Sequence, residues 1–161
     1  MKFKYISLLL IFPLFLMSCS IEVKPKEHMR DIYIVALETI MEQDESLNKD
    51  VKFIAIDMGN FEKINQHDKE YILTSLKETY NVDVFEATFE QLKEKGLYDE
   101  DTMSLDGVLL TIDNIQYTFN NQVQLEGSKY RSSLGAVGIE VKVHYNDDKW
   151  QTKDMKDLWI S

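Results

Sequence analysis

The chain has 161 residues, with 18 Lys and Arg against 28 Asp and Glu, and 44% of its residues are apolar. A single Cys excludes an intrachain disulfide scaffold, and the apolar fraction is too high for a disordered chain. The formal charge of −10 opposes sequence-independent binding of nucleic acid, which needs a basic surface. We therefore expect one compact domain that binds no nucleic acid.

Residues 1–18 have the layout of a secretory signal peptide. Lys2 and Lys4 give a positively charged start, and residues 6–17 form a largely apolar run. This run is shorter than the roughly 20 residues that cross a bilayer as a stable helix. Removal of the signal would leave 16 basic against 28 acidic residues, a formal charge of −12.

The signal ends in Leu16, Met17, Ser18 and Cys19, and this sequence resembles the lipobox of bacterial lipoproteins. The resemblance implies that Cys19 receives a diacylglycerol on its sulfur and that cleavage falls between Ser18 and Cys19. Only a thiolate can form such a thioether readily at neutral pH. The alternative is an ordinary secretory signal with a chance Cys, but Cys19 is the only Cys of the chain. We favour lipidation, which predicts a protein anchored on the extracytoplasmic face of the cell membrane.

Residues 19–28 are predicted to be a short lipidated tether, and residues 29–161 a single α+β domain. The tether contains Pro25 and has little apolar periodicity. Fully extended, residues 20–28 reach at most about 30 Å, so the domain should stay near the membrane. No repeat, linker or low-complexity block divides residues 29–161.

The sequence pattern in the first part of the domain predicts helices and a short strand-helix-strand unit. Apolar side chains recur at helical spacing over residues 29–41, which predicts the first helix. A nearly continuous apolar run at residues 51–58 predicts a buried strand, and a second short strand is expected at residues 82–86. These two strands could pair in parallel through a crossover or belong to an antiparallel sheet, and the sequence leaves both open.

Capping signals place the other two helices. Asn65 with Asp68 indicates the start of a helix that connects the two short strands and ends near Asn81. Thr88 and Gln91 form a capping-box pattern before a third helix, which Gly96 should end. We expect all helices on one face of the sheet.

In the last third of the chain, apolar and polar residues alternate, and this pattern predicts a four-stranded antiparallel meander. The apolar parity of its first strand changes near Asp113 and Asn114, which predicts a bulge, and a similar slip is expected within residues 154–156. The predicted strands are residues 108–119, 123–131, 136–145 and 149–160.

A glycine-rich segment at residues 127–138 holds half of the six glycines and two cations in an otherwise acidic domain. Backbone donors of such a turn, with Ser128, Lys129 and Arg131, could bind a phosphate, a carboxylate or an acidic peptide. We therefore predict Ser128, Lys129 and Arg131 as ligand-binding residues. The alternative is a hairpin whose cations pair with nearby carboxylates.

Neither a metal site nor a catalytic motif is recognisable. The histidines, at positions 28, 67 and 144, form no ligand pattern, and the acidic stretch at residues 99–106 departs from the EF-hand spacing. No nucleophile elbow or P-loop occurs. We expect no catalytic residues, no metal and no cofactor.

The lipobox, the Lys and Ile richness and the final KWQTKDMKDLWIS strand resemble small lipoproteins of Gram-positive bacteria. That resemblance brings no activity with it. We favour a noncatalytic binding or accessory module of the cell envelope, with the membrane and an envelope protein or peptide as partners. The alternatives are an immunity or self-protection lipoprotein that intercepts a toxin or cationic peptide, and an envelope hydrolase that uses Asp57 or the segment at residues 128–138.

Overall fold

The computed structural model describes residues 23–161, which form three α-helices and one seven-stranded mixed sheet. The elements in chain order are α1 (Met29–Glu42), β1 (Phe53–Asp57), α2 (Gln66–Tyr80), β2 (Asp83–Glu86), α3 (Phe89–Glu94), β3 (Tyr98–Asp99), β4 (Ser104–Thr118), β5 (Gln122–Ser132), β6 (Gly135–Asn146) and β7 (Lys149–Ile160). Short 3-10 turns at Pro25–Glu27 and Glu45–Asn48 flank α1. The predicted α+β class is confirmed.

The sheet has the strand order β2-β1-β4-β5-β6-β7, and β3 pairs with the start of β4. β1 runs parallel to both of its neighbours, so Ile54 lies opposite Val84 on one side and Val108 on the other. All pairs from β4 to β7 are antiparallel. The predicted four-stranded meander is therefore present but forms only part of a larger sheet, because β1 continues it beyond β4. β3 was not predicted.

The predicted capping signals are present as hydrogen bonds. At the start of α2, the Asn65 side chain accepts from the Asp68 backbone N–H, and the Asp68 carboxylate accepts from the Asn65 N–H. Thr88 and Gln91 make the same reciprocal pair before α3. These boxes satisfy backbone donors that a helix start leaves unpaired, and they fix where both helices begin.

The helices cover both faces of the sheet, so the prediction of a single covered face is wrong. α1 and α2 pack on the face that carries Ile54, in the larger of two hydrophobic cores. α3 packs through Leu92 against Phe53 and Ala55 in the smaller core. Successive side chains of a strand point to opposite faces, so the two cores lie on opposite sides of the sheet.

β4 and β7 both contain irregular pairing. The register of β4 against β5 shifts between Ile112 and Asn114, which confirms the bulge predicted from the parity change. For β7, the prediction of a slip within residues 154–156 is wrong, because residues 154–157 pair regularly with β6. The extra residues of β7 are Lys153 and Leu158, on either side of that regular stretch.

The folded unit begins before the predicted boundary at residue 29. Val23 is buried in the larger core, and Pro25–Glu27 forms a 3-10 turn. The Lys26 ammonium lies 4.9 Å from the centre of the Tyr117 ring. Val23 of the predicted tether therefore packs on the domain, whereas Cys19 and the predicted signal peptide lie outside the described residues.

Candidate functional site

Lys129 lies on β5 with its side chain in the protein interior. Residues Val123, Leu125 and Lys129 alternate along the strand toward α1, and all three are fully buried. The Lys129 ammonium lies within hydrogen-bond distance of four oxygen atoms, those of the Met41, Gln43 and Asp44 carbonyls and Oδ1 of Asn48. Burial lowers the pKa of Lys129 to about 8, so the ammonium form still predominates at pH 7. Its hydrogen bonds tie the end of α1 to the sheet.

Ser128 and Arg131 also have partners within the chain. The Ser128 and Thr111 hydroxyl oxygens are 2.8 Å apart, on the face of the sheet opposite Lys129. The Arg131 guanidinium donates to the carbonyl oxygens of Leu47 (2.8 Å) and Lys49 (2.6 Å). The structure therefore does not bring Ser128, Lys129 and Arg131 together around one open site, and their predicted ligand binding gains no support from the geometry.

The two candidates for a hydrolase centre lie in different places. The Asp57 carboxylate accepts a hydrogen bond from the Gly59 backbone N–H at 2.9 Å. Asp57 lines a shallow depression with Glu86, Thr88 and Gln91, and no residue of the glycine-rich segment contributes to it. A shared pocket for Asp57 and that segment is therefore not formed.

The acidic stretch after α3 forms a turn that its own carboxylate stabilises. Asp99 Oδ1 accepts from the backbone N–H groups of Thr102 (2.9 Å) and Asp101 (2.8 Å), and these bonds lower the pKa of Asp99. Within residues 23–161, no three His, Cys, Asp or Glu side chains are grouped so that they could hold a metal ion.

A cleft of about 480 Å³ lies between the first half of α1, the middle of α2 and the hairpin that joins β6 to β7. The side chains that matter for its chemistry are His28, Asp31, Tyr71, Tyr145, Asp148 and Trp150. The hairpin turns through Asp147 and Asp148, which have φ values of 50° and 59°. The cleft has the size of a typical small-ligand or side-chain pocket.

Trp150 forms the wall of this cleft. Its ring packs edge-on against Tyr145, with 5.4 Å between the ring centres, and the His28 ring centre is 6.0 Å away. The side chain is only 8% exposed, and its indole N–H is buried with no hydrogen-bond partner among the described residues. Buried donors are nearly always paired, so an unpaired N–H in the wall is an unusual feature of this cleft.

Charged groups of both signs lie beside the aromatic rings of the cleft. Asp31 and Asp148 contribute two carboxylates, and Lys149 is the one Lys or Arg in the lining. The neighbouring Arg30 donates from Nε to Asp31 Oδ1 at 3.0 Å, and its guanidinium lies 4.3 Å from the centre of the Tyr71 ring. The ring of Tyr71 thus already accepts a cation on its face, an interaction that a ligand amine could repeat on the other aromatic rings.

Sequence reasoning missed this cleft because three distant segments form it. His28 falls within the predicted tether, and no sequence motif connects it with Tyr145 or Trp150. The one usable signal was the concentration of aromatic and charged residues around the Asn146-Asp147-Asp148 turn.

No known protein family matches the chain, and neither a curated protein nor a solved structure is similar to it.

Proposed function

We propose that the protein is a lipid-anchored, noncatalytic binding module of the cell envelope whose cleft binds a basic peptide segment. The observation that carries this proposal is the unpaired, buried indole N–H of Trp150 in the wall of an aromatic cleft that contains two carboxylates. The proposal combines a hydrogen-bond donor without a partner and the exposed carboxylate of Asp148, which can pair with a cation.

A peptide fits this combination because it brings both complementary groups. Its backbone carbonyl can accept the Trp150 N–H, and a Lys or Arg side chain can lie against the Tyr145 ring beside Asp148. The net charge of the whole chain, −10, also raises the local concentration of cationic ligands. The flanking Lys149 is placed to contact a backbone carbonyl or the carboxyl end of the same peptide.

The anchor in this proposal is Cys19, whose lipobox resemblance supplies the membrane attachment. Val23, four residues later, is already packed in the core, so the stretch between them spans at most about 14 Å. His28 follows on the same segment and lies on the cleft. The cleft would therefore sit at the end of the domain nearest the membrane.

Indole fluorescence tests the binding site directly. In a Trp159→Phe variant of the full chain, Trp150 is the only indole, and a trilysine amide should change its emission in a saturable way. A triglutamate peptide of the same length should not. Asp148→Asn should weaken trilysine binding by about tenfold, whereas Asp101→Asn, in the exposed turn after α3, should not change it. Equal responses to both peptides would contradict a site for basic ligands.

Detergent phase partitioning tests the anchor. The full-length protein made in a bacterial host should enter the detergent phase, and Cys19→Ala should move it to the aqueous phase or leave it with an uncleaved signal. Identical partitioning of the two proteins would contradict lipidation without touching the proposal for the cleft.

Self-protection is the second candidate function, since an acidic protein anchored to the membrane suits the interception of a cationic toxin or antimicrobial peptide. Deletion of the protein should then increase sensitivity to such a peptide, and the Asp148→Asn variant should fail to restore resistance. Unchanged sensitivity after deletion would reject this candidate.

A further inference from the structure

β7 forms one edge of the sheet and has no strand partner on its outer side in the part of the chain that the structure describes. It is 12 residues long, whereas β2 at the other edge has four. β7 contains neither Pro nor Gly. Long edge strands of this kind present a row of free backbone donors and acceptors for pairing with another strand.

The second half of β7 also exposes apolar side chains. Four of its last six residues are large and apolar, and all four are exposed, namely Met155, Leu158, Trp159 and Ile160. Solvent-exposed apolar residues concentrated on an open edge are typical of an interaction surface. Pairing along this edge would cover them.

The charge pattern of β7 is complementary to itself. Residues 154–157 are the regular stretch between the two bulges, and in them Asp154 and Lys156 flank Met155. If two copies of β7 pair antiparallel with Met155 opposite Met155, each Asp154 lies opposite the Lys156 of the other copy.

Neighbouring registers lose this complementarity. Paired residues must point to the same face of the sheet, so a symmetric antiparallel pair has one residue opposite its own copy. Moving that position by one residue places Asp154 opposite Asp154 or Lys156 opposite Lys156. Like charges directly opposite each other destabilise a strand pair.

We propose that β7 is a self-association edge and that its partner is β7 of a second copy of this chain, paired antiparallel about Met155. The two sheets then continue into one another, and α1 and α2 of both copies lie on the same side. This inference is independent of the ligand of the cleft and of the lipid anchor.

A disulfide experiment tests the register. In full chains in which Cys19→Ser removes the native thiol, Met155→Cys places two thiols opposite each other, at a Cα separation of about 5 Å that a disulfide can bridge. Leu134→Cys is the matched control, because Leu134 lies outside β7. Its side chain is 88% exposed, compared with 49% for Met155, so its thiol would be at least as accessible to oxidation. Mild oxidation should produce a covalent dimer of the Met155→Cys chain about tenfold faster than of the Leu134→Cys chain. Equal rates overturn the proposal.

A charge exchange tests the pairing itself in chains that keep Cys19. Asp154→Lys should lower the dimer fraction in sedimentation velocity by about tenfold, because it puts Lys opposite Lys156 in both symmetric contacts. The double variant Asp154→Lys with Lys156→Asp should restore dimerisation, and Asp101→Lys should leave it unchanged. Circular dichroism confirms that all variants are folded. If the double variant does not restore dimerisation, the proposed register is wrong. If the unmodified chain is itself monomeric, self-association is wrong, and the edge is left to a strand of another protein.

Discussion

The ammonium nitrogen of Lys129 lies 2.9 Å from the carbonyl oxygen of Met41, in the last turn of α1. Carbonyl groups at this end of a helix have no partner within the helix, and a cation there is favoured by the helix dipole. The amide of Asn48 donates to the same Met41 oxygen at 2.7 Å. The three groups therefore form an internal cap that fixes the end of α1 and the following turn against β5.

Lys129→Met should destabilise the protein by about 2–4 kcal/mol, because it leaves several buried oxygen atoms without a donor while keeping the volume of the side chain. Urea denaturation of the variant measures the loss. Lys63→Met, at an exposed position, is the control and should change the free energy of unfolding by less than about 0.5 kcal/mol. Similar values for the two variants would contradict the capping role.

The stability of the protein should fall as the pH rises above 10, and Tyr33 should account for part of the loss. Burial raises the pKa of Tyr33 well above its ordinary value of 10. Above pH 10 the unfolded chain therefore releases the phenolic proton while the folded chain retains it, which favours unfolding.

Tyr33→Phe isolates this effect. At pH 7 the variant should be less stable by about 1 kcal/mol, because the Tyr33 hydroxyl donates to the Glu62 carbonyl and accepts from the Glu62 N–H. The difference in the free energy of unfolding between the unmodified protein and the variant should decrease above pH 10, by up to about 1.4 kcal/mol per pH unit. Urea titrations at pH 7, 10 and 11 measure it, and a gap that does not change with pH would contradict the assignment.

Gly138→Ala should displace the indole of Trp159. A Cβ atom at position 138 would clash with Trp159 Nε1, so the ring must leave the sheet surface. We expect stronger quenching of Trp fluorescence by iodide and a loss of about 1 kcal/mol in stability. In a Trp159→Ala background, Gly138→Ala should have little effect on stability, since the clash is absent. An equal loss in both backgrounds would show that the two residues are not coupled.

Local signals predicted the elements of this fold better than their arrangement. The capping residues at Asn65 and Thr88 act within a single turn of helix, so the sequence alone placed the starts of α2 and α3. The parallel pairing of Ile54 with Val108 joins residues that are far apart in the chain, and no local pattern specifies it. The placement of α3 opposite α1 depends on the same long-range pairing.

The site was harder to predict, for a different reason. The sequence predicts Lys129 as a ligand-binding residue, because a cation beside glycines is typical of an anion site. The alternation of β5 nevertheless places Lys129 on the same face as Val123 and Leu125, and that parity predicts burial. Trp150 gave no such signal, because its unpaired N–H depends on the packing of His28 and Tyr145 around it.

The position of β1 also governs when the chain can fold. Both strands that pair with it are synthesised after it, and Trp150 from the last strand enters the same core as Val23 at the start of the described chain. β1 can pair with β2 once residue 86 has been synthesised, but its other partner β4 and the strand that carries Trp150 follow later. The core that joins both ends of the chain is therefore completed only when synthesis reaches β7.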